Sequence, residues 1–390
     1  MSTGLRARLL VVTMSAAAAL VCLELVLRAA GFSAPAWYRP DPLLGWALRP
    51  GVSGWYSAEG KAFVQVNSAG QRDREHPLEK PAGVYRIAVL GDAYAEAMQV
   101  AAGEIYWAQL PRLLEGCGFQ RGKRIEVLNF GVRDYGTAQS YLVLEKTALR
   151  YRPDLVLLQF DNGNDVRDNS HALDTIKDRP FFRLDGQGGL RLDTAFAARE
   201  RGYAGRASWT GELLRSLVDG ARVLQLARDR VHGLRLMATA HAKSATGNEA
   251  GLEVASLGPP RDAHWEQAWR VTEALIAKVG ELASRNGAAA ALVAVPFAMQ
   301  VHPDVAWRER LQAKYGVSDL AYPDRRAVSF ARERGMLGIM LAPQMQALAV
   351  ASGTHLYGFA NQQLGFGHWN EHGHRAVAGI IARELCASRF

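Results

Sequence analysis

A chain of 390 residues that is 49% hydrophobic and 22% charged can bury a large core, which excludes a disordered or fibrous protein. The net charge of +8 comes from scattered basic residues with no RNA- or DNA-binding motif beside them. Nucleic acid is therefore not an expected partner, whereas an anionic membrane surface or an acidic polymer suits the charge. Cys22, Cys117 and Cys386 fall in no metal-ligand spacing, and no metal or cofactor is expected; the sequence leaves open whether Cys117 and Cys386 pair.

Arg6 and Arg8 precede an apolar run from Leu9 to Leu27 that only Glu24 interrupts. As a helix it would span about 28 Å, close to the roughly 30 Å bilayer core. Glu24 and Arg28 stand four apart and can pair at the far interface. No convincing A-x-A cleavage site follows, so residues 9–30 read as a signal anchor, with a cleaved signal or a buried soluble helix as the competing readings. Residues 1–8 then stay in the cytoplasm and the remainder faces outside.

Residues 34–83 are rich in Pro, Gly and aromatics, with a short strand expected over Ala62–Val66 before Asn67-Ser68-Ala69-Gly70. Residues 31–83 read as a juxtamembrane collar, and the main domain as 84–390. Within it, continuous apolar runs at Tyr85–Leu90, Ile125–Phe130, Leu155–Phe160 and Ala289–Val295, and a weaker one at Leu337–Leu341, predict parallel strands buried on both faces. Helical patterns fall between them at Tyr106–Leu114, Thr137–Ala148, Ala263–Ser284, Asp324–Glu333 and Gly373–Leu385. The alternation predicts a three-layer α/β/α sandwich around a five-stranded parallel sheet of flavodoxin type. An insertion over about 170–262 breaks the rhythm. It holds a hairpin pattern at Phe181–Leu192, a helical pattern at Gly211–Met237 and a small, polar loop at Ala240–Pro260.

Four blocks carry the chemistry: Gly91-Asp92-Ala93 after the first strand, Gly131 after the second, Gly163-Asn164-Asp165 after the third, and His368 before the last helix. Ligands of open parallel sheets bind outside the carboxyl ends of the strands, where these blocks can converge. The N–H groups of Ala93 and Gly131 and the Asn164 amide are candidate oxyanion donors, and His368 is the candidate general base. Asp92 is counted with His368 and Ala93 among the catalytic-site residues, its usual task being to bond the turn and its alternative to attack or activate water, and Asn370 is expected to cap the final helix. The bland readings are turn residues for Gly131 and Asn164; the spacing of His368, His372 and His374 does not argue for zinc.

These blocks resemble the SGNH (GDSL-type) hydrolases over about residues 84–390. Gly91-Asp92 match the first block, Gly131 the second, Gly163-Asn164-Asp165 the third and His368 the last. Membrane-anchored bacterial members also share the Asp41-Pro42-Leu43-Leu44-Gly45-Trp46 and Asn67-Ser68-Ala69-Gly70-Gln71-Arg72 segments. The resemblance implies hydrolysis or transfer of ester O-acyl groups, with an acylated carbohydrate as substrate or ligand and polysaccharide-assembly proteins as partners. It places the domain on the periplasmic face of a bacterial inner membrane. Two positions depart from it: the nucleophilic serine is Ala93, and the aspartate three before the histidine is Gly365. A backbone carbonyl can orient a histidine in place of that aspartate, but a methyl group cannot attack an ester. The alternative expectation is a non-catalytic glycan-binding or scaffold protein.

Overall fold

The structure, a computed structural model, describes residues 3–187, 189–199, 201–231, 234 and 254–388. Helix α1 (Thr3–Ala29) touches the rest of the chain through Glu24 and Arg28 near its end, and its segment Ala7–Ala29 has a mean hydropathy of 2.4 with none of it buried. That excludes the buried-helix reading. Two antiparallel pairs follow as the collar: β1 (Tyr38–Asp41) with β2 (Gly45–Leu48), and β3 (Ser53–Tyr56) with β4 (Ala62–Gln65). Asp41 Oδ1 accepts the Leu43 and Leu44 amides to close the first turn. After β4, Asn67 Oδ1 accepts from Ala69 and Gln71, and Gly70 takes a φ of +81°. That turn delivers the buried Arg72 guanidinium to the Glu96 and Val100 carbonyls.

The central sheet has the order β11-β10-β7-β5-β6, all parallel, formed by β5 (Val84–Leu90), β6 (Arg124–Asn129), β7 (Leu155–Asp161), β10 (Ala289–Val295) and β11 (Leu337–Met340). Counted along these five strands the order is 2-1-3-4-5, the flavodoxin-like winding expected. All seven residues of β5 are buried, because helices cover both faces. Ile87 and Val89 pack toward α3 (Tyr106–Cys117), α12 (Ala342–Ser352) and α13 (Glu371–Ala387). Ala88 and Leu90 pack toward α4 (Thr137–Lys146), α9 (Ala263–Arg285) and α11 (Tyr322–Glu333). This is the predicted three-layer sandwich. Cys117 and Cys386 form a disulfide, with Cα atoms 6.3 Å apart, that joins the ends of α3 and α13.

The insertion contains the predicted hairpin, β8 (Phe181–Leu184) with β9 (Leu190–Asp193). The single helical pattern expected at 211–237 is instead divided. Helix α8 (Trp209–Gly220) ends at the extended Ala221, and a second helical stretch runs over 222–231. Residues 240–253 of the expected polar loop lie outside the described residues, whereas Val254–Leu257 form a short 3-10 turn. Three short helices complete the site-bearing connections: α2 (Ala93–Glu96), α5 (Asp165–Asp168) and the α10 segment Val305–Tyr315.

Candidate active site

Strands β5 and β7 are spatial neighbours, yet β6 and α4 lie between them in sequence. Their carboxyl ends therefore mark the switch point where the winding reverses and a crevice forms. Asp92 leaves β5 and caps α2, its Oδ1 accepting the Tyr94 N–H at 3.0 Å. Ala93 is the first residue of α2 and is 6% exposed. At the end of β7, Asp161 Oδ1 accepts the Gly163 N–H at 2.8 Å, so the chain turns sharply into α5. Asn164 caps that helix, half-buried, with its side-chain oxygen buried and unpartnered among the described residues.

Gly131 packs at the turn after β6. Its N–H donates to Asn129 Oδ1 at 2.9 Å, so in this structure that donor is already engaged. A Cβ at Gly131 would lie 2.3 Å from the Ala95 methyl, so the glycine permits close approach of the β6 loop to α2.

His368 reaches the same crevice from the loop before α13. Its ring centroid lies 5.2 Å from that of Tyr94, the residue after Ala93, and the Tyr94 hydroxyl donates to the Gly367 carbonyl at 3.3 Å. The backbone N–H of His368 donates to Glu59 Oε1 at 2.7 Å, and Nδ1 bonds Glu59 Oε2. A carboxylate at Nδ1 fixes the proton there and leaves Nε2 as the basic nitrogen. Burial alone would lower the imidazole pKa, but the Glu59 charge and hydrogen bond outweigh it and the pKa is raised. Burial likewise raises the Glu59 carboxyl, and the imidazole outweighs it, leaving that pKa lowered.

Glu59 thus stands where a backbone carbonyl was expected to serve. It sits at the tip of the β3–β4 hairpin, which the chain clamps from the far end of the sequence. Asn361 Oδ1 accepts from Gly60 N at 2.9 Å, and Gln362 Nε2 donates to Ala58 O at 2.7 Å. Gly367, at φ +76°, leaves room for the carboxylate: a Cβ there would lie 2.2 Å from Glu59 Oε1. Nothing in the Ser57–Lys61 segment marks Glu59 as functional; the only hint was that Gly365 left the histidine without its sequence-adjacent carboxylate.

Two buried acids, Asp92 and Asp165, lie at these strand ends with the half-buried Asp161. Burial, and then the charges of Asp161 and Asp165, hold the Asp92 carboxyl well above its ordinary range. The hydrogen bond between the two side chains favours the proton on Asp92, and the pKa of Asp161 is itself raised by burial and moderated by the Gly163 N–H and by that bond. Asp165 Oδ2 accepts from the Thr137 hydroxyl at 3.1 Å and from the Asp161 amide at 3.3 Å. Of the other histidines, His374 is buried against the Tyr106 and Trp369 rings, accepts from Tyr106 N at 3.4 Å, and is pushed down to about 3, chiefly by burial. Asn370 caps α13 as expected, its Oδ1 accepting from Gly373 N at 3.1 Å. Arg133 pairs with Asp134 at 3.3 Å.

The fold and crevice define an α/β sandwich with a histidine–carboxylate pair at its switch point. No family model matches the chain, and no curated protein matches it. Among solved structures, TesA is similar over 77% of this chain and 98% of its own, at 12% identity and a TM-score of 0.38. LAE5, an alpha/beta hydrolase enzyme from the metagenome of Lake Arreo, Spain, is similar over 78% of this chain and 96% of its own, at 12% identity and a TM-score of 0.37. A catalytic mutant of Axe2, an acetylxylan esterase from Geobacillus stearothermophilus, is similar over 77% and 94%, at 12% identity and a TM-score of 0.37.

Proposed function

We propose that the chain is an SGNH-type protein, tethered by α1, that acts on O-acyl esters of a carbohydrate outside the cytoplasm. The observation that carries this reading is the Glu59–His368 pair, with Nε2 left basic and the imidazole ring 5.2 Å from that of Tyr94, the residue after Ala93. Ala93 offers no hydroxyl, so the base acts on water. His368 Nε2 takes a proton from water as its oxygen adds to the acyl carbonyl. The Ala93 N–H and the Asn164 amide receive the oxyanion, while Gly131 keeps the loops close. Collapse of the tetrahedral species breaks the ester bond, and the imidazolium returns the proton to the departing sugar hydroxyl. The exposed apolar α1 and the Cys117–Cys386 disulfide support an extracytoplasmic setting, since disulfides persist in oxidising compartments.

The second reading, a non-catalytic binder of acylated glycan within a polysaccharide assembly, is favoured by Ala93 itself. In serine hydrolases loss of the nucleophile costs on the order of a million-fold in turnover. Hydrolysis of p-nitrophenyl acetate and of acetylated xylo-oligosaccharide by the detergent-solubilised full chain separates the two. Turnover above buffer that disappears in His368→Ala supports the water-activating reading. Equal rates for the two proteins, together with retention of the acetylated oligosaccharide, leave the binder.

A further inference from the structure

Helix α8 presents its faces the wrong way round for a soluble protein. Trp209, Leu213 and Leu217 recur every four residues and share one face with Leu214 beside them. These side chains are 76%, 50%, 54% and 63% exposed, in that order. Arg215 and Asp219, both half-buried, face the protein instead, while Glu212 and Ser216 are exposed. Asp219 accepts from Ala36 N at 3.1 Å and pairs with Arg49 of the collar, and Arg215 donates to the Arg206 carbonyl at 2.7 Å. A helix that turns Arg215 and Asp219 toward the protein and bares the tryptophan and leucines leaves an apolar surface that something must cover.

Its position identifies the cover. Arg28 Nη2, in the last turn of α1, donates to the Gly220 carbonyl at the end of α8 at 2.7 Å. Glu24 Oε2 accepts the Val223 N–H at 2.9 Å, at the start of the 222–231 helical stretch. The two charges at the outer end of the apolar run thus pair with each other and cap two helix termini. Ser33 Oγ accepts from Arg222, and Gln225 Oε1 accepts from Ala34 N, so the chain leaving α1 is bound to the same corner.

We propose that α8 lies in the headgroup–acyl boundary of the bilayer that α1 crosses, with Trp209, Leu213, Leu214 and Leu217 embedded. The inference rests on the reading of α1 as a span. An amphipathic helix of this kind sinks its apolar face about 5–10 Å into the boundary, and tryptophan favours that depth. Its 12 residues cover roughly 18 Å of surface. The collar joined to α8 carries Glu59, so the crevice is held at a fixed height above the lipid.

The test uses the full chain in phosphatidylcholine–phosphatidylglycerol vesicles, labelled with an NBD fluorophore at one cysteine at a time. Native Cys22 reports α1. In a Cys22→Ser background, Leu213→Cys and Leu217→Cys report the α8 face, and Glu309→Cys, at an exposed position of α10, serves as the water reference. Shallow nitroxide-labelled lipid is expected to quench most of the emission at positions 213 and 217 and little at 309. Deep nitroxide lipid is expected to quench at Cys22. Quenching at Cys22 with water-like emission at 213 and 217 overturns the α8 proposal and leaves the span intact. Blue-shifted emission at 213 without lipid quenching indicates a protein contact and also overturns it. No quenching at any position removes the span, and the α8 proposal with it.

Discussion

Glu59 accepts both the backbone N–H and the Nδ1–H of His368 across 309 residues of chain. The carboxylate comes from a hairpin that precedes the sheet, whereas the imidazole comes from the loop before the final helix. One group therefore fixes ring orientation, tautomer and basicity together, and the collar becomes part of the site.

Glu59→Gln tests this pairing. The imidazole pKa, raised in the native chain, should fall, and the His368 Cε1 resonance should titrate at lower pH in the variant. Ester turnover, where the base must be neutral, should drop about 10²-fold, and its acidic limb should move to lower pH. Stability carries its own signature. Glu59, with its lowered pKa, contributes above its ordinary 4.5 and loses the contribution as pH falls through its folded value. His368, with its raised pKa, contributes below its ordinary 6.5 and loses the contribution as pH rises through its folded value. The melting-temperature gap between native and variant should be widest between about pH 4.5 and 6.5 and narrow on both sides. A gap independent of pH would show that Glu59 acts by packing alone.

Ala93→Ser restores the missing hydroxyl at the start of α2, next in sequence to Tyr94. If His368 Nε2 is the available base, the new hydroxyl should be activated and trap an acyl group. The expected outcome is a burst of p-nitrophenol equal to the enzyme concentration and a gain of about 10²-fold or more in turnover, a fraction of what a native serine supplies. Intact-mass spectrometry during turnover should show one acetyl adduct. Neither burst nor adduct would place Nε2 out of reach of position 93.

The sheet was legible in the sequence because its signals are local. Tyr85–Leu90, Leu155–Phe160 and Ala289–Val295 are apolar on both faces, and only a strand covered on both sides needs that. The ends of those strands, at Asp92, Gly131 and Asn164, followed from the same pattern. Glu59 was not legible, because a single polar residue in a Ser-Ala-Glu-Gly loop gains its role only when Gly367 and Asn361 arrive from 300 residues away. The division of the 211–237 helix was hidden for a related reason. Ala221 is a good helix former, and the break there follows a carbonyl capped by Arg28 and an amide capped by Glu24, both tertiary contacts.

The Cys117–Cys386 bridge ties α3 to the helix that follows His368. It closes a loop of 269 residues, for which chain entropy predicts a stabilisation of about 5 kcal/mol, with measured bridges more often at 2–5 kcal/mol. Cys117→Ser should lower the denaturation midpoint accordingly. Dithiothreitol should destabilise the native protein by the same amount and leave the variant unchanged. A native protein indifferent to reductant would mean the two helix ends are held by packing alone.

The Asp92–Asp161 pair predicts an unusual stabilising substitution. Asp92 accepts from Tyr94 N with Oδ1 and donates to Asp161 with its protonated oxygen, and an asparagine can do both with its Oδ1 and Nδ2. In the unfolded chain Asp92 ionises near its ordinary 3.8, whereas the folded chain holds it protonated well above that. Folding therefore takes up a proton in the window between 3.8 and the folded value, and native stability falls as pH rises through that window. Asp92→Asn removes this penalty. The variant should match the native protein below about pH 3.8 and unfold at a higher temperature at pH 7, with the advantage growing between the two. Asp161→Asn lacks this symmetry. It replaces with an amide the carboxylate that accepts from both Gly163 and Asp92, so one neighbour loses its acceptor, at a cost of about 1–3 kcal/mol. A destabilised Asp92→Asn beside a tolerated Asp161→Asn would reverse the assignment of the shared proton.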